Sequence, residues 1–150
     1  MSSVALLDVN VLVALFDPEH VHHELAHDWF ADNRACGWAT CPITEAGFVR
    51  VLSNPAYGGP ALRASELVSL LAKFCRSGHH GFWEERVSLL DQDVFDAKAL
   101  GGHRQVTDAY LLGVAKSHGG RLATFDRAIP LSAVKGATRA HLAVIGPAAG

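Results

Sequence analysis

The chain has 150 residues, of which 49% are hydrophobic and 19% are charged. This length and composition predict a single globular domain and exclude an intrinsically disordered chain. The net charge is -2, which argues against a strongly basic nucleic-acid binder. If four acidic side chains are neutralised at metal ions, however, the bases outnumber the remaining acids, so a locally positive face is expected.

Cysteine content and hydrophobicity indicate the compartment. Three cysteines are too few, and odd in number, for a disulfide scaffold and fit a reducing environment. The N-terminus lacks the basic region of a signal peptide. The most apolar stretch, residues 4–16, is interrupted by Asp8 and Asn10 and is shorter than the ~20 residues that span a bilayer. The sequence therefore predicts a cytoplasmic protein that does not contact a membrane.

Short apolar runs alternate along the chain with segments of helical periodicity. In chain order the pattern predicts a strand at Val4–Leu7, helices at Asn10–Phe16 and His22–Asn33, a strand at Gly37–Cys41, a helix at Pro42–Leu52, a loop over residues 54–60, a helix at Ala64–Arg76, short strands at Phe82–Trp83 and Val87–Leu89, a short helix at Phe95–Leu100, a helix at Thr107–His118, and strands at Arg121–Thr124 and Leu142–Ile145. This alternation predicts an α/β sandwich with a mainly parallel sheet. One domain is expected to span residues 1–150, with a frayed tail at residues 146–150.

Four acidic side chains fall at the boundaries of these predicted elements. Asp8, Glu45 and Asp126 each come just after a predicted strand. Asp108 opens the helix that Thr107 is expected to cap. Because ligands of parallel sheets bind outside the carboxyl ends of the strands, we expect the four carboxylates to face one crevice.

The spacing of apolar residues supports this placement. Apolar residues follow both Glu45 and Asp108 at the third, fourth and seventh positions, so each carboxylate lies above an apolar helix face. An acid in a first helical turn also has a simple explanation, since it favours the helix dipole by ~0.3–1 kcal/mol. Gathered carboxylates, however, repel each other and require a cation or raised pKa values. Carboxylate oxygens suit Mg²⁺ or Mn²⁺, and such an ion promotes hydrolysis of phosphate esters by water.

At these acids the chain resembles a known family. Four segments are similar, in order and spacing, to the motifs of PIN domains: Leu6–Leu12, Thr44–Arg50, Gln105–Leu112 and Ala123–Arg127. Each motif is weak by itself, but four in order are specific. Their spacing resembles that of the VapC-type toxins of bacterial toxin–antitoxin pairs, and the resemblance spans residues 4–145.

The resemblance implies a PIN-like three-layer α/β/α sandwich. It implies an endoribonuclease that uses Mg²⁺, or Mn²⁺ as a substitute, and cleaves tRNA or ribosomal RNA with metal-activated water. It also implies a homodimer that a VapB-type antitoxin inhibits. In the family the first and third acids are the usual metal ligands, which here are Asp8 and Asp108. Glu45 and Asp126 complete the catalytic site by ligation or by orienting water.

Three further residues are candidates for contact with the RNA substrate. Asn10 matches the small polar position near the first acid of the family. Arg104 precedes the third motif and Arg127 follows Asp126. Either arginine could meet an RNA phosphate, or could be an ordinary solvated side chain.

Four histidines lie close together in the sequence: His20, His22, His23 and His27. A zinc site is conceivable because His23 and His27 are one helical turn apart. No cysteine lies nearby, so a solvated cluster at the start of a helix is the expected arrangement.

Three other functions remain open at this stage. A nuclease of the same fold could act on structured DNA. A non-catalytic module could capture only RNA or an antitoxin, although four intact acids argue against this. A receiver-like phosphoacceptor domain also clusters acids around Mg²⁺, but the lysine expected on a late strand is not evident.

Overall fold

The computed structural model describes residues 4–59 and 62–146. Within these residues five parallel strands form one sheet, in the order β3-β2-β1-β4-β5. The strands are β1 (Ala5–Leu7), β2 (Trp38–Thr40), β3 (His80–Phe82), β4 (Arg121–Thr124) and β5 (Leu142–Val144). The α-helices are α1 (Val9–Phe16), α2 (His23–Asn33), α3 (Pro42–Ser53), α4 (Ala64–Cys75) and α5 (His103–Ser117).

Strand β1 lies at the centre of the sheet and pairs with both β2 and β4. Its three residues are buried, as expected for an apolar run covered on both faces. From β1 the chain moves outward to β2 and β3, and then crosses back to β4 on the other side of β1. This reversal creates a crevice at the carboxyl ends of β1 and β4, the usual position of a ligand site in such sheets.

Helices cover both faces of the sheet and form two cores. On one face, residues of α1 to α4 pack against Leu7 and Trp38. On the other face, α5 packs against Leu6 and Ala39. The predicted three-layer α/β/α sandwich is therefore confirmed, with a sheet that is entirely parallel in the described residues.

Helix α5 begins at His103, earlier than predicted. Gly102, with φ +149°, precedes the helix, and Gln105 Oε1 accepts the N–H of Gly101 at 2.9 Å. The prediction that Thr107 caps this helix is therefore wrong, and Asp108 lies in the second turn. Helix α5 begins four residues before Thr107 because the irregular backbone that precedes it lies at Gly101 and Gly102.

The region after β3 differs from the predicted pair of strands. The first strand is found two residues earlier, as β3, and the N–H of Trp83 makes a last bond to the carbonyl of Thr40 at 2.8 Å. The strand predicted at Val87–Leu89 is wrong, since this described segment forms no ladder. Val87 and Leu89 pack against the α5 core while their neighbours are exposed, so the alternation reflects an extended segment without a partner strand.

The short helix predicted at Phe95–Leu100 is replaced by a single 3₁₀ turn at Ala97–Ala99. Phe95 instead forms an isolated antiparallel bridge with Val134 and is buried beside α5. Tertiary contact with Val134 therefore overrides the local helical preference. Of the tail predicted to fray, residues 147–150 lie outside the described residues.

Candidate active site

Asp8 caps helix α1 directly after the central strand. Its Oδ1 accepts the N–H of Val9 at 2.8 Å, and its Oδ2 accepts the hydroxyl of Thr124 at 2.9 Å. The residue is 6% exposed. Burial raises the pKa of Asp8, while the two hydrogen bonds act in the opposite direction. The carboxylate is thus held in one orientation by groups that bond to its charged form.

Thr124, the last residue of β4, connects Asp8 to Asp126. The Thr124 hydroxyl donates to Asp8 and accepts the backbone N–H of Asp126 at 3.1 Å. Asp126 Oδ1 in turn accepts the N–H of Ala128 at 2.8 Å, which closes the turn after β4. One buried hydroxyl therefore fixes both the first acid and the segment that carries the fourth.

Asp108 reaches the same edge of the sheet from helix α5. Burial and the charges of Asp8 and Asp126 together raise the pKa of Asp108 to about 7, with burial the largest cause. A hydrogen bond with the Asp126 side chain acts in the same direction. The three acids that follow β1, lie in α5 and follow β4 are therefore close enough for their charges to interact.

The chemistry of these three side chains fits a divalent cation. Carboxylate oxygens are the ligands that Mg²⁺ and Mn²⁺ prefer. The repulsion that raises the pKa of Asp108 is the repulsion that a bound cation relieves. In the arrangement described for residues 4–59 and 62–146, no group of three or more His, Cys, Asp or Glu side chains is positioned to hold a metal ion.

Glu45 lies in the first turn of α3 and has other neighbours. The Thr40 hydroxyl donates to Glu45 Oε2 at 2.7 Å, and the Thr40 hydroxyl oxygen lies 2.8 Å from His80 Nε2. Burial raises the pKa of Cys75, and the charge of Glu45 adds to this effect. Burial lowers the pKa of His80, against the charge of Glu45. The structure therefore brings three of the four predicted acids together and holds Glu45 beside the end of β2.

The three candidate RNA contacts are exposed on the elements that carry the acids. Asn10 lies in the first turn of α1, two residues after Asp8. Arg104 lies in the first turn of α5, one helical turn before Asp108 and on the same helix face. Arg127 directly follows Asp126.

The four clustered histidines make structural contacts at the end of α1. His23 Nδ1 and His27 Nε2 donate to the carbonyl oxygens of Ala14 and Leu15 at 2.7 and 2.9 Å. These carbonyls belong to the last turn of α1, where they have no helical partner. The rings of the other two histidines contact Phe125, with centroids 6.1 and 4.6 Å away. This cluster links α2 and the end of β4 to α1.

Three side chains at the site were not singled out from the sequence. Thr124 stands inside the fourth motif, where a hydroxyl at a strand end could have been noticed. Thr40 has the same position at the end of β2. His80 gave no signal, because its partner Thr40 is 40 residues away in the sequence.

Comparison with known proteins agrees with this fold and site. The sequence profile of the PIN domain matches residues 5–135, and the chain belongs to the PIN-domain family. Ribonuclease VapC44 of Mycobacterium tuberculosis is 50% identical over 141 residues, which cover 94% of this chain and 99% of VapC44. Ribonuclease VapC39 of the same organism is 45% identical over 132 residues, which cover 88% of this chain and 95% of VapC39. The resemblance inferred from the four motifs is confirmed.

A solved structure supports the fold independently. The crystal structure of Mycobacterium tuberculosis VapC20, described as a Sarcin-Ricin loop cleaving toxin, superimposes with a TM-score of 0.59. The match covers 88% of this chain and 99% of that chain, at 13% sequence identity. At this identity the likeness establishes the fold alone. In the described part of the chain, every helix is too short or too polar to cross a membrane.

Proposed function

We propose that this protein is a VapC-type endoribonuclease toxin that hydrolyses tRNA or ribosomal RNA with Mg²⁺ or Mn²⁺. The observation that carries the proposal is that Asp8, Asp108 and Asp126 lie at the carboxyl edge of the sheet, where burial and the charges of the other two acids raise the pKa of Asp108 to about 7. Relatives of 45% and 50% identity that carry the name ribonuclease support the same reaction class.

In this proposal Asp8, Asp108 and Asp126 hold the cation, and Glu45 completes the site by ligation or by orienting water. When bound, the cation polarises water and offsets the charge that develops on the phosphodiester. The Thr124 hydroxyl and the Val9 N–H keep the Asp8 carboxylate in one orientation. Asp108 must give up its proton before its carboxylate can act as a ligand.

Exposed side chains around the acids would bind the RNA backbone. Arg104 and Arg127 would meet RNA phosphates, and Asn10 would donate a hydrogen bond beside Asp8. The positive charges of the two arginines would partly offset the repulsion between RNA and the acidic cluster. These contacts position a strand without selecting a base, so they do not define which RNA is cleaved.

The proposal extends to the cellular setting of the toxin. A single PIN domain would form a homodimer in the cytoplasm, and a VapB-type antitoxin would inhibit it. The family assignment and the VapC relatives support this setting.

The test is cleavage of a total-RNA and tRNA panel by antitoxin-free protein with Mg²⁺, with Mn²⁺ and with EDTA. We expect discrete cuts with either metal and none with EDTA. Asp108→Asn should reduce cleavage to the EDTA background while the fold is kept, because it removes a ligand charge without changing side-chain size. Asp32→Asn, on the exposed surface of α2, is the matched control and should cleave like the wild type.

Three outcomes would contradict the proposal. Full activity of Asp108→Asn in a metal-saturated assay would exclude its role at the metal. Preferential cleavage of a matched DNA oligonucleotide would indicate a DNA nuclease of this fold. RNA binding by a folded, Mn²⁺-binding protein that makes no cuts would indicate a binding module.

A further inference from the structure

The hydroxyl of Thr40 lies between two polar side chains at the end of β2. It donates to Glu45 Oε2 at 2.7 Å, and its oxygen lies 2.8 Å from His80 Nε2. Thr40 is 0% exposed, so water cannot replace either partner. A buried hydroxyl of this kind is costly to leave unpaired, which gives the arrangement one defined geometry.

The donor and the acceptor of each of these two hydrogen bonds can be assigned from the chemistry of the three side chains. A carboxylate only accepts hydrogen bonds, so the single hydroxyl proton of Thr40 points to Glu45. The Thr40 oxygen must then accept from His80, which places a hydrogen on Nε2. Both bonds run in one direction, from His80 through Thr40 to Glu45, and each polarises the next.

The sheet itself places His80 for this contact. His80 of β3 pairs in register with Trp38 of β2, and Thr40 lies two residues further along the same face. The His80 and Trp38 rings are 4.6 Å apart, and the Trp38 indole N–H donates to the carbonyl of Gly78 at 3.0 Å. The imidazole is therefore held by packing on a buried strand.

A similar threonine–carboxylate hydrogen bond occurs on the other side of β1. Strands β2 and β4 flank β1, and each ends in a buried threonine. The Thr124 hydroxyl donates to Asp8, and the Thr40 hydroxyl donates to Glu45. The Thr40 oxygen accepts from the His80 side chain, whereas the Thr124 oxygen accepts the backbone N–H of Asp126.

We propose that Thr40 and His80 are positioning residues for Glu45. They hold one carboxylate oxygen of Glu45 at the end of β2 and so fix the orientation of the side chain. The inference rests on the proposed function, since Glu45 contributes to catalysis only if the acids form the nuclease site.

The primary test compares Thr40→Val with Thr40→Ser. Valine keeps the shape of threonine and removes the hydroxyl, whereas serine keeps the hydroxyl. Thr40→Val should lower Mn²⁺ affinity, measured by calorimetry, or kcat for RNA cleavage by about 10–100-fold, as losses of outer-shell partners do. The KM for RNA should change little. Thr40→Ser, which keeps the hydroxyl, should have a Mn²⁺ affinity and a kcat near those of the wild type.

Thr44→Val is the matched control for a general loss of stability. Thr44 is also fully buried and lies in the first turn of α3, and its hydroxyl is hydrogen-bonded to atoms of Cys41. Thermal unfolding of all variants measures the stability lost with each hydroxyl. If Thr44→Val loses as much activity as Thr40→Val at equal melting temperature, the positioning role is overturned.

A readout in metal-free protein separates this inference from the proposed function. ¹⁵N NMR of the imidazole should show His80 with its hydrogen on Nε2, and Thr40→Val should lose that preference.

His80→Gln, which keeps an N–H donor, should retain more Mn²⁺ affinity than His80→Leu. An Nδ1–H tautomer in the wild type, or equal affinity in the two His80 variants, would overturn the positioning role. Absence of RNA cleavage by the wild type would overturn only the proposed function.

Discussion

Asp108 shows most directly how close packing of acids changes a single residue. Its pKa is raised to about 7 by burial and by the charges of Asp8 and Asp126. The group therefore changes charge near neutral pH, where an ordinary aspartate is fully ionised. A carboxyl group with this pKa exchanges a proton for a cation at little cost, which suits a metal ligand.

This shift predicts how stability depends on pH. The pKa of Asp108 is about 7 in the folded protein and near 3.8 when unfolded, so the folded state retains a proton that the unfolded state releases. The Asp108 contribution to the free energy of unfolding is therefore fully present below about pH 4 and is lost as pH rises towards 7. Asp108→Asn cannot ionise and should flatten this part of the profile.

The measurement is thermal unfolding in EDTA across this pH range, for the wild type and Asp108→Asn. The variant should melt higher than the wild type near neutral pH, by about 2–4 °C for each kcal/mol that burial and repulsion of the charge cost the folded state. Asp32→Asn provides the reference for loss of an exposed charge. A wild-type melting temperature that rises with pH relative to Asp108→Asn would contradict the raised pKa.

At the scale of elements, helices α1 and α3 approach each other closely at Gly47. A Cβ added there would lie 2.6 Å from Cγ2 of Val9, a distance that real side chains do not adopt. Val9 follows Asp8, and Gly47 lies two residues after Glu45. This contact therefore sets the separation of two helices that each carry an acid of the candidate site.

Gly47→Ala should destabilise the protein and reduce cleavage. Overpacking against the stiff Val9 side chain costs ~1–3 kcal/mol, which outweighs the ~1 kcal/mol that alanine gains over glycine in helix propensity. Chemical denaturation measures the change in free energy of unfolding. Ala46→Ser, at the exposed neighbouring position, should change it by less than ~0.5 kcal/mol. A more stable Gly47→Ala protein would show that the two helices separate without cost.

At the scale of the whole molecule, the sheet order gathers acids from distant parts of the sequence. Strand β1 is central, and β4 returns beside it after the chain has passed through β2 and β3. Asp8 and Thr124 are consequently in contact although they are 116 residues apart. The candidate site therefore exists only when the sheet is complete, so a ligand of the site should stabilise the whole fold.

Divalent metal should raise the melting temperature of the wild type. A ligand that binds only the folded state adds about 2.7 kcal/mol at a concentration of 100 times its Kd. Differential scanning fluorimetry with Mn²⁺, followed by excess EDTA, measures the shift and its reversal. Asp108→Asn should lose most of the shift, and Asp32→Asn should keep it. Equal shifts in both variants would place the metal away from the acidic crevice.

Much of this protein was determined by local sequence. Apolar runs and helical spacing predict all five α-helices and the five strands, with β3 displaced by two residues, because burial imposes these periods on neighbouring residues. The strand ends also predict where Asp8, Glu45 and Asp126 lie. Local signals failed at Thr107, where a plausible cap lies inside a helix, and at Val87–Leu89, where alternation arises without a partner strand.

Only the tertiary structure decided which of these side chains meet. It joined Asp108 to Asp8 and Asp126, and it held Glu45 on the Thr40 hydroxyl with His80 behind it. Neither pKa values nor hydrogen-bond partners follow from sequence spacing, because they depend on burial and on distances between residues far apart in the chain. The acids of the site could therefore be named from the sequence, whereas their charge states and the residues that hold them required the folded sheet.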